Sequence, residues 1–212
     1  MRTGLAALAM LCLIAVTAPA QVLFENGPIN GTVDAWTINF GFAISDTFTL
    51  TDPSTVKGFD LGVWEFPGDK VLSVDWMISS GEFGGKLYGE GTAQLTDTFI
   101  SINQYGYAID TLHASGLNVA MPFGTYWFTL QNAVSQQGNP IYWDENDGIG
   151  CHSEGCPSQA SDDALGTLPS ESFDVIGVSG SSSSGQTPEP GEFVLFASGL
   201  LTTAGVIRRK LW

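Results

Sequence analysis

Asp144, Glu145, Asn146 and Asp147 run on directly from Tyr142 and Trp143. Four oxygen-bearing side chains in a row suit a hard cation such as Ca²⁺, which takes about six to eight oxygen ligands. Their spacing is not that of a helix-loop-helix calcium loop, because Gly148 falls where a ligand should stand. A solvated acidic turn is the competing reading. Tyr142 and Trp143 offer a second chemistry, a flat aromatic surface on which a sugar ring stacks while carboxylates and amides bind its hydroxyls. Trp64, Trp127, Tyr105 and Tyr107 could extend such a platform. Trp143, beside polar Asp144 and Asn146, is the aromatic expected to be exposed, against the general tendency of aromatics in β-rich chains to pack in the core.

Catalytic chemistry has less to work with. His113 and His152 are the only imidazoles, and neither a Gly-x-Ser-x-Gly elbow nor a His-Glu-x-x-His helix motif occurs. A glycosidase needs only two carboxylates, but a pair such as Glu65 and Glu90 is an arbitrary choice among twenty acids. No catalytic residue is assigned, and a non-enzymatic role is expected. Cys151 and Cys156, in Cys151-His152-Ser153-Glu154-Gly155-Cys156, read as a local disulfide in an oxidising compartment. A thiolate metal site with His152 lacks the second cysteine pair it would need.

The elements that must position these residues are strands. Phe59, Leu61 and Val63 alternate with Gly58, Asp60 and Gly62. Leu72, Val74, Trp76 and Ile78 alternate with Ser73, Asp75 and Met77, and Tyr126, Phe128 and Leu130 with Trp127, Thr129 and Gln131. Phe173 and Val175 open a last strand. Period two with turn signals between the runs predicts an all-β body, a two-sheet antiparallel β-sandwich of jelly-roll-like type. Asp60 and Asp75 fall on the solvent faces. Residues 144–170, rich in Asp, Gly, Ser and Pro, read as one long excursion pinned by the disulfide.

Both ends of the chain differ from the body. Arg2, the apolar stretch Leu5–Val16 and Ala18-Pro19-Ala20 form a signal peptide over residues 1–20, with Cys12 inside it. The β-domain then covers 21–178 and a Gly/Ser linker covers 179–187. Residues 21–187 hold three lysines against twenty acids, a net charge of −17. Nucleic acid is a poor partner for such a body, and cations are good ones. The final segment, 188–212, holds Pro188-Glu189-Pro190, an apolar run from Phe193 to Ile207, and Arg208-Arg209-Lys210. As a helix, 193–207 spans roughly 22 Å at about 1.5 Å per residue, short of a hydrocarbon core of about 30 Å. The basic cluster acts as a cytoplasmic stop.

In that combination the tail resembles the PEP-CTERM sorting signal. The resemblance rests on Pro188, Glu189, Pro190, the apolar run and the basic end, and covers about one-eighth of the chain. Thr187 stands where the family more often has Val. The resemblance implies processing near the motif by an exosortase, a membrane transpeptidase-like enzyme of bacteria that make exopolysaccharide. Stretches of the body, Gly62 to Asp69 and Tyr142 to Asn146 among them, also resemble the exported sandwich domains attached to this signal, which implies no catalytic residues. The resulting expectation is an exported surface or matrix protein, held transiently in the inner membrane by its tail and then associated with extracellular polysaccharide in a biofilm. A carbohydrate-binding module, with or without Ca²⁺, is the alternative.

Overall fold

The computed structural model describes residues 19–180. Residues 1–18 of the signal peptide, most of the linker and the whole PEP-CTERM segment, including Pro188, Glu189, Pro190, Arg208, Arg209 and Lys210, lie outside the described residues. What is described is built from strands with antiparallel pairings. In chain order they are β1 (Gln21–Glu25), β2 (Asp34–Thr37), β3 (Ala43–Leu50), β4 (Ser54–Glu65), β5 (Val71–Gly81) and β6 (Gly84–Ile102). Then follow β7 (Ala108–Met121), β8 (Gly124–Ser135), β9 (Tyr142–Glu145), β10 (Ala160–Asp162), β11 (Gly166–Leu168) and β12 (Phe173–Ser179).

One hydrogen-bonded path links them in the order β1-β12-β4-β7-β6-β5-β8-β3-β10-β11, and β9 bridges β2 and β4. The turning point of this path is β6, 19 residues long. Its first part pairs with β5 through Gln94, and its second pairs with β7 from Leu95 onward. The sheet therefore curls back on itself, and the inward side chains of its two halves meet. Phe59 of β4 packs on Phe128 of β8 with ring centroids 4.9 Å apart, and Phe128 on Phe173 of β12 at 5.7 Å. Burying such rings removes apolar surface from water at about 25 cal/mol per Å², which is what holds the curl closed.

The alternation read from sequence holds for β4, where Phe59, Leu61 and Val63 are all buried, and for β8, where Tyr126, Phe128 and Leu130 are. In β5 it holds for Val74, Trp76 and Ile78 but not for Leu72, which is exposed while Val71 is buried. Register shifts between Val71 and Ser73 and between Ser73 and Asp75 explain the difference: a bulge inserts a residue and inverts the facing of what precedes it. Residues 144–170 are not one loop. They hold the end of β9 and the β10–β11 hairpin, whose first strand extends the sheet beyond β3.

Trp143 is the principal correction to the sequence reading. It is 0 % exposed, set edge-on to Phe128 and Phe173 in the core, with its indole N–H donating to the Ser172 carbonyl at 2.9 Å. A buried ring with a satisfied N–H cannot serve as a sugar platform. Trp143→Ala should therefore destabilise the fold by about 3–5 kcal/mol in chemical denaturation, the usual cost of deleting a buried aromatic.

Candidate functional site

β9 carries Trp143, Asp144 and Glu145 into the interior of the molecule and leaves Tyr142 half-buried. It pairs Trp143 with Trp36 on one side and with Val63 on the other. Asp144, on the face opposite Trp143, accepts hydrogen bonds from the backbone N–H groups of Asn30 and Gly31, both at 2.9 Å, and from the Trp64 indole at 2.5 Å. Glu145 Oε2 accepts from the Trp36 indole at 2.6 Å. Asn146 donates to the Asn26 carbonyl and accepts from the Gly148 N–H. Burial raises the pKa values of both Asp144 and Glu145 despite these donors. Only Asp147 of the four faces solvent. Among the described residues, Asp144, Glu145 and Asp147 do not bring their oxygens into one ligand-sized group.

A polar seam lies beside them. Asn26 is buried, and its side-chain amide sits within donating distance of Asp46, Ser158, Ser170 and the Glu171 carbonyl. Asp46 Oδ2 also accepts from the Ser158 hydroxyl and the Glu171 N–H. Burial pushes the Asp46 pKa up to about 7, with those donors opposing it. Glu171 is fully buried, and neither of its side-chain oxygens has a hydrogen-bond partner. Burial, then the charges of Asp46, Glu145 and Asp144, hold its pKa well above the usual carboxylate range. The seam also seats the Cys151–Cys156 disulfide, whose Cα atoms are 5.7 Å apart, with Ser153 inside the loop accepting from the Glu25 N–H. Gly27 completes the join at φ +88°, where an added Cβ would stand 2.6 Å from the Ile149 carbonyl oxygen.

The aromatics gather elsewhere than at Trp143. Tyr105 stacks on Trp64 at 5.7 Å between centroids, and Tyr107 contacts Trp64, Phe66 and Tyr142. Tyr105 is 60 % exposed, Phe66 is exposed, and Tyr107 and Tyr142 are half-buried. So Trp64, Tyr105, Tyr107 and Tyr142 come together as the sequence reading grouped them. Trp143 does not join, and Trp127 is half-buried in β8, on a strand that pairs with neither β4 nor β9.

The densest unsatisfied chemistry lies at one end of the core face of β4, β7 and β6. Glu65, Asp110 and Asp97 each place a carboxylate oxygen within 4.8 Å of the others, the one such group of three or more potential ligands among the described residues. Asp110 pairs with Val63, two residues before Glu65, and with Phe99, two residues after Asp97. Neighbouring strands thus bring the three to one spot. Glu65 Oε2 and Asp110 Oδ1 are buried without a hydrogen-bond partner. Glu65 is pushed up to about 9, first by burial and then by Asp110 and Asp97. Asp97 is pushed up to about 6 by burial and Asp110, with the Val71 N–H and Lys70 opposing. Glu65 and Glu90, the pair given above as an arbitrary example, do not share this spot: Glu90 is exposed on the other half of β6. Asp97 and Asp110 were missed, although a signal existed: Glu65 follows Phe59, Leu61 and Val63 in the apolar phase, and Asp110 stands in phase with Leu112 and Ala114.

The two imidazoles are surface groups. His113 lies 2.6 Å from Asp60 on an exposed face, and His152 is exposed in the disulfide loop. Compared with known proteins, the chain matches no family model and no curated protein.

Asp46 and Glu171 make stability depend on pH in a definite direction. A carboxyl whose pKa is raised by folding binds more protons folded than unfolded, so stability falls as pH rises from the unfolded to the folded value. For Asp46 that window runs from 3.8 to about 7, and Glu171, also raised, acts in the same direction. The unfolding free energy in chelator should increase as pH drops from about 8 to about 5. Glu171→Gln, which mimics the neutral acid, should flatten that slope.

Proposed function

We propose that the chain is an exported, non-enzymatic protein of the cell surface or extracellular matrix, delivered by an exosortase and working in contact with exopolysaccharide in a biofilm. In this reading the curled sheet is a jelly-roll-like β-sandwich that serves as a rigid structural or adhesive unit. The carrying observation is the order Pro188-Glu189-Pro190, apolar Phe193 to Ile207, then Arg208-Arg209-Lys210. Two features of the body support it. The first strand begins at Gln21, the first residue after the signal-peptide cleavage site. The Cys151–Cys156 disulfide suits an oxidising compartment. Replacing Pro188, Glu189 and Pro190 by alanine should leave the C-terminal segment attached in cells, read by intact mass. Processing unchanged from the parent would remove the exosortase from the account.

A second reading, binding of the polysaccharide itself, is favoured by one observation, the exposed Tyr105 ring stacked on Trp64. A ring supported from behind by another offers a flat, preorganised face for a sugar. If this reading holds, a glycan array should report binding to acidic or neutral polysaccharides, and Tyr105→Ala should weaken it at least about tenfold, the equivalent of about 1.4 kcal/mol. Silence across the array, with and without Ca²⁺, would leave the structural role alone.

A further inference from the structure

We propose that Glu65, Asp97 and Asp110 form a Ca²⁺ site at the open end of the β4–β7–β6 face, separate from the 144–147 turn. The proposal goes beyond the function proposed above and does not rest on it.

Three observations carry it. The first is convergence. Ca²⁺ binds oxygen at about 2.4 Å, so two oxygens on one ion are at most about 4.8 Å apart. The three carboxylates meet that limit pairwise. The second is that two carboxyl oxygens of the cluster are buried with no N–H or hydroxyl group donating to them. Glu65 is 1 % exposed and Asp110 4 %, and each presents an oxygen with no hydrogen-bond partner. Asp69 close by, in contrast, accepts from the Lys70 and Gln137 N–H groups and the Asn139 amide. The third is space and charge. A cleft of about 230 Å³ opens on the cluster, with Lys70, Phe99 and Ile102 also in its lining. That volume leaves room for waters, about 30 Å³ each, to complete a coordination shell. Lys70 acts on Asp97 from a distance but makes no ion pair within 4.0 Å, so three acids face one cation that touches none of them; among the described residues the single such pair is His113–Asp60.

The donor set chooses the ion. All-carboxylate oxygen excludes a preference for Zn²⁺ or Cu⁺, which favour nitrogen and sulfur. Ligands on three separate strands give irregular geometry, which Ca²⁺ tolerates and Mg²⁺, demanding a near-ideal octahedron, does not. Bound Ca²⁺ would tie together three strands at the place where β6 turns from one half of the sheet to the other, so its effect is on stability.

Thermal unfolding of the full chain in mild detergent tests this, comparing chelator, CaCl2 and MgCl2 at about pH 7.5. Saturating CaCl2 should raise the midpoint on the order of 5 °C, the shift implied by a ligand at about a hundredfold its Kd, and MgCl2 should do less. Asp97→Asn and Asp110→Asn should lose the calcium shift while melting in chelator no lower than the parent, since each removes a repelling charge. Asp147→Asn should keep it. Should Asp110→Asn fail to fold, Asp97→Asn, half-exposed at the mouth, carries the comparison. The proposal is overturned by no shift in the parent, by an equal response to Mg²⁺, by a shift that survives Asp97→Asn, or by one that disappears in Asp147→Asn.

Discussion

Carboxylates enclosed by a chain with almost no cations of its own set the terms of this structure. The body has three lysines for twenty acids, and a single ion pair forms among the described residues. Burying an ionised carboxyl without compensation costs several kcal/mol. Each enclosed acid must therefore find neutral donors, keep its proton or take a cation from solution. All three solutions have a place in this molecule, and their positions follow from the path of the sheet.

Neutral donors serve where the chain turns back over itself. Asp144 collects two backbone N–H groups and an indole, Glu145 an indole, and Asp46 the amides and hydroxyls of the seam. These bonds fasten β9, the disulfide loop and the residues before β12 to strands distant in sequence. The acids thus act as fasteners, and the aromatic core formed by Phe59, Phe128, Trp143 and Phe173 closes around them. Glu171 has no such donors, and burial holds its pKa well above the usual carboxylate range, while the Glu65 group opens on a cleft.

Much of this was legible in the alternation, and what escaped did so for physical reasons. Long strands such as β4 and β8 repeat the period often enough to declare their buried face. β9 has four residues, hence two positions per face, so polar neighbours made Trp143 look exposed when the polar face was itself covered. β10 and β11, three residues each and partly polar, gave no period at all. The bulges in β5 shifted Leu72 to the outside without leaving a mark in composition. Of the aromatics read as one platform, Trp64, Tyr105, Tyr107 and Tyr142 meet around Tyr107, whereas Trp127 and Trp143 lie apart, a division that strand register alone reveals. The acids of β4 and β7 stood in the apolar phase, an anomaly visible in one dimension, whereas Asp97 needed the pairing of β6 with β7.

The same feature connects fold to role. An acidic, disulfide-pinned β-body is in keeping with the exported role proposed above. Its central premise, that an enclosed carboxyl here stays neutral when nothing donates to it, has a direct spectroscopic signature. Infrared spectra of the folded chain at about pH 7.5 should contain the carbonyl stretch of a protonated carboxyl, and Glu171→Gln should lose part of that band. A spectrum with ionised carboxylates alone, or one that Glu171→Gln leaves unchanged, would contradict the account.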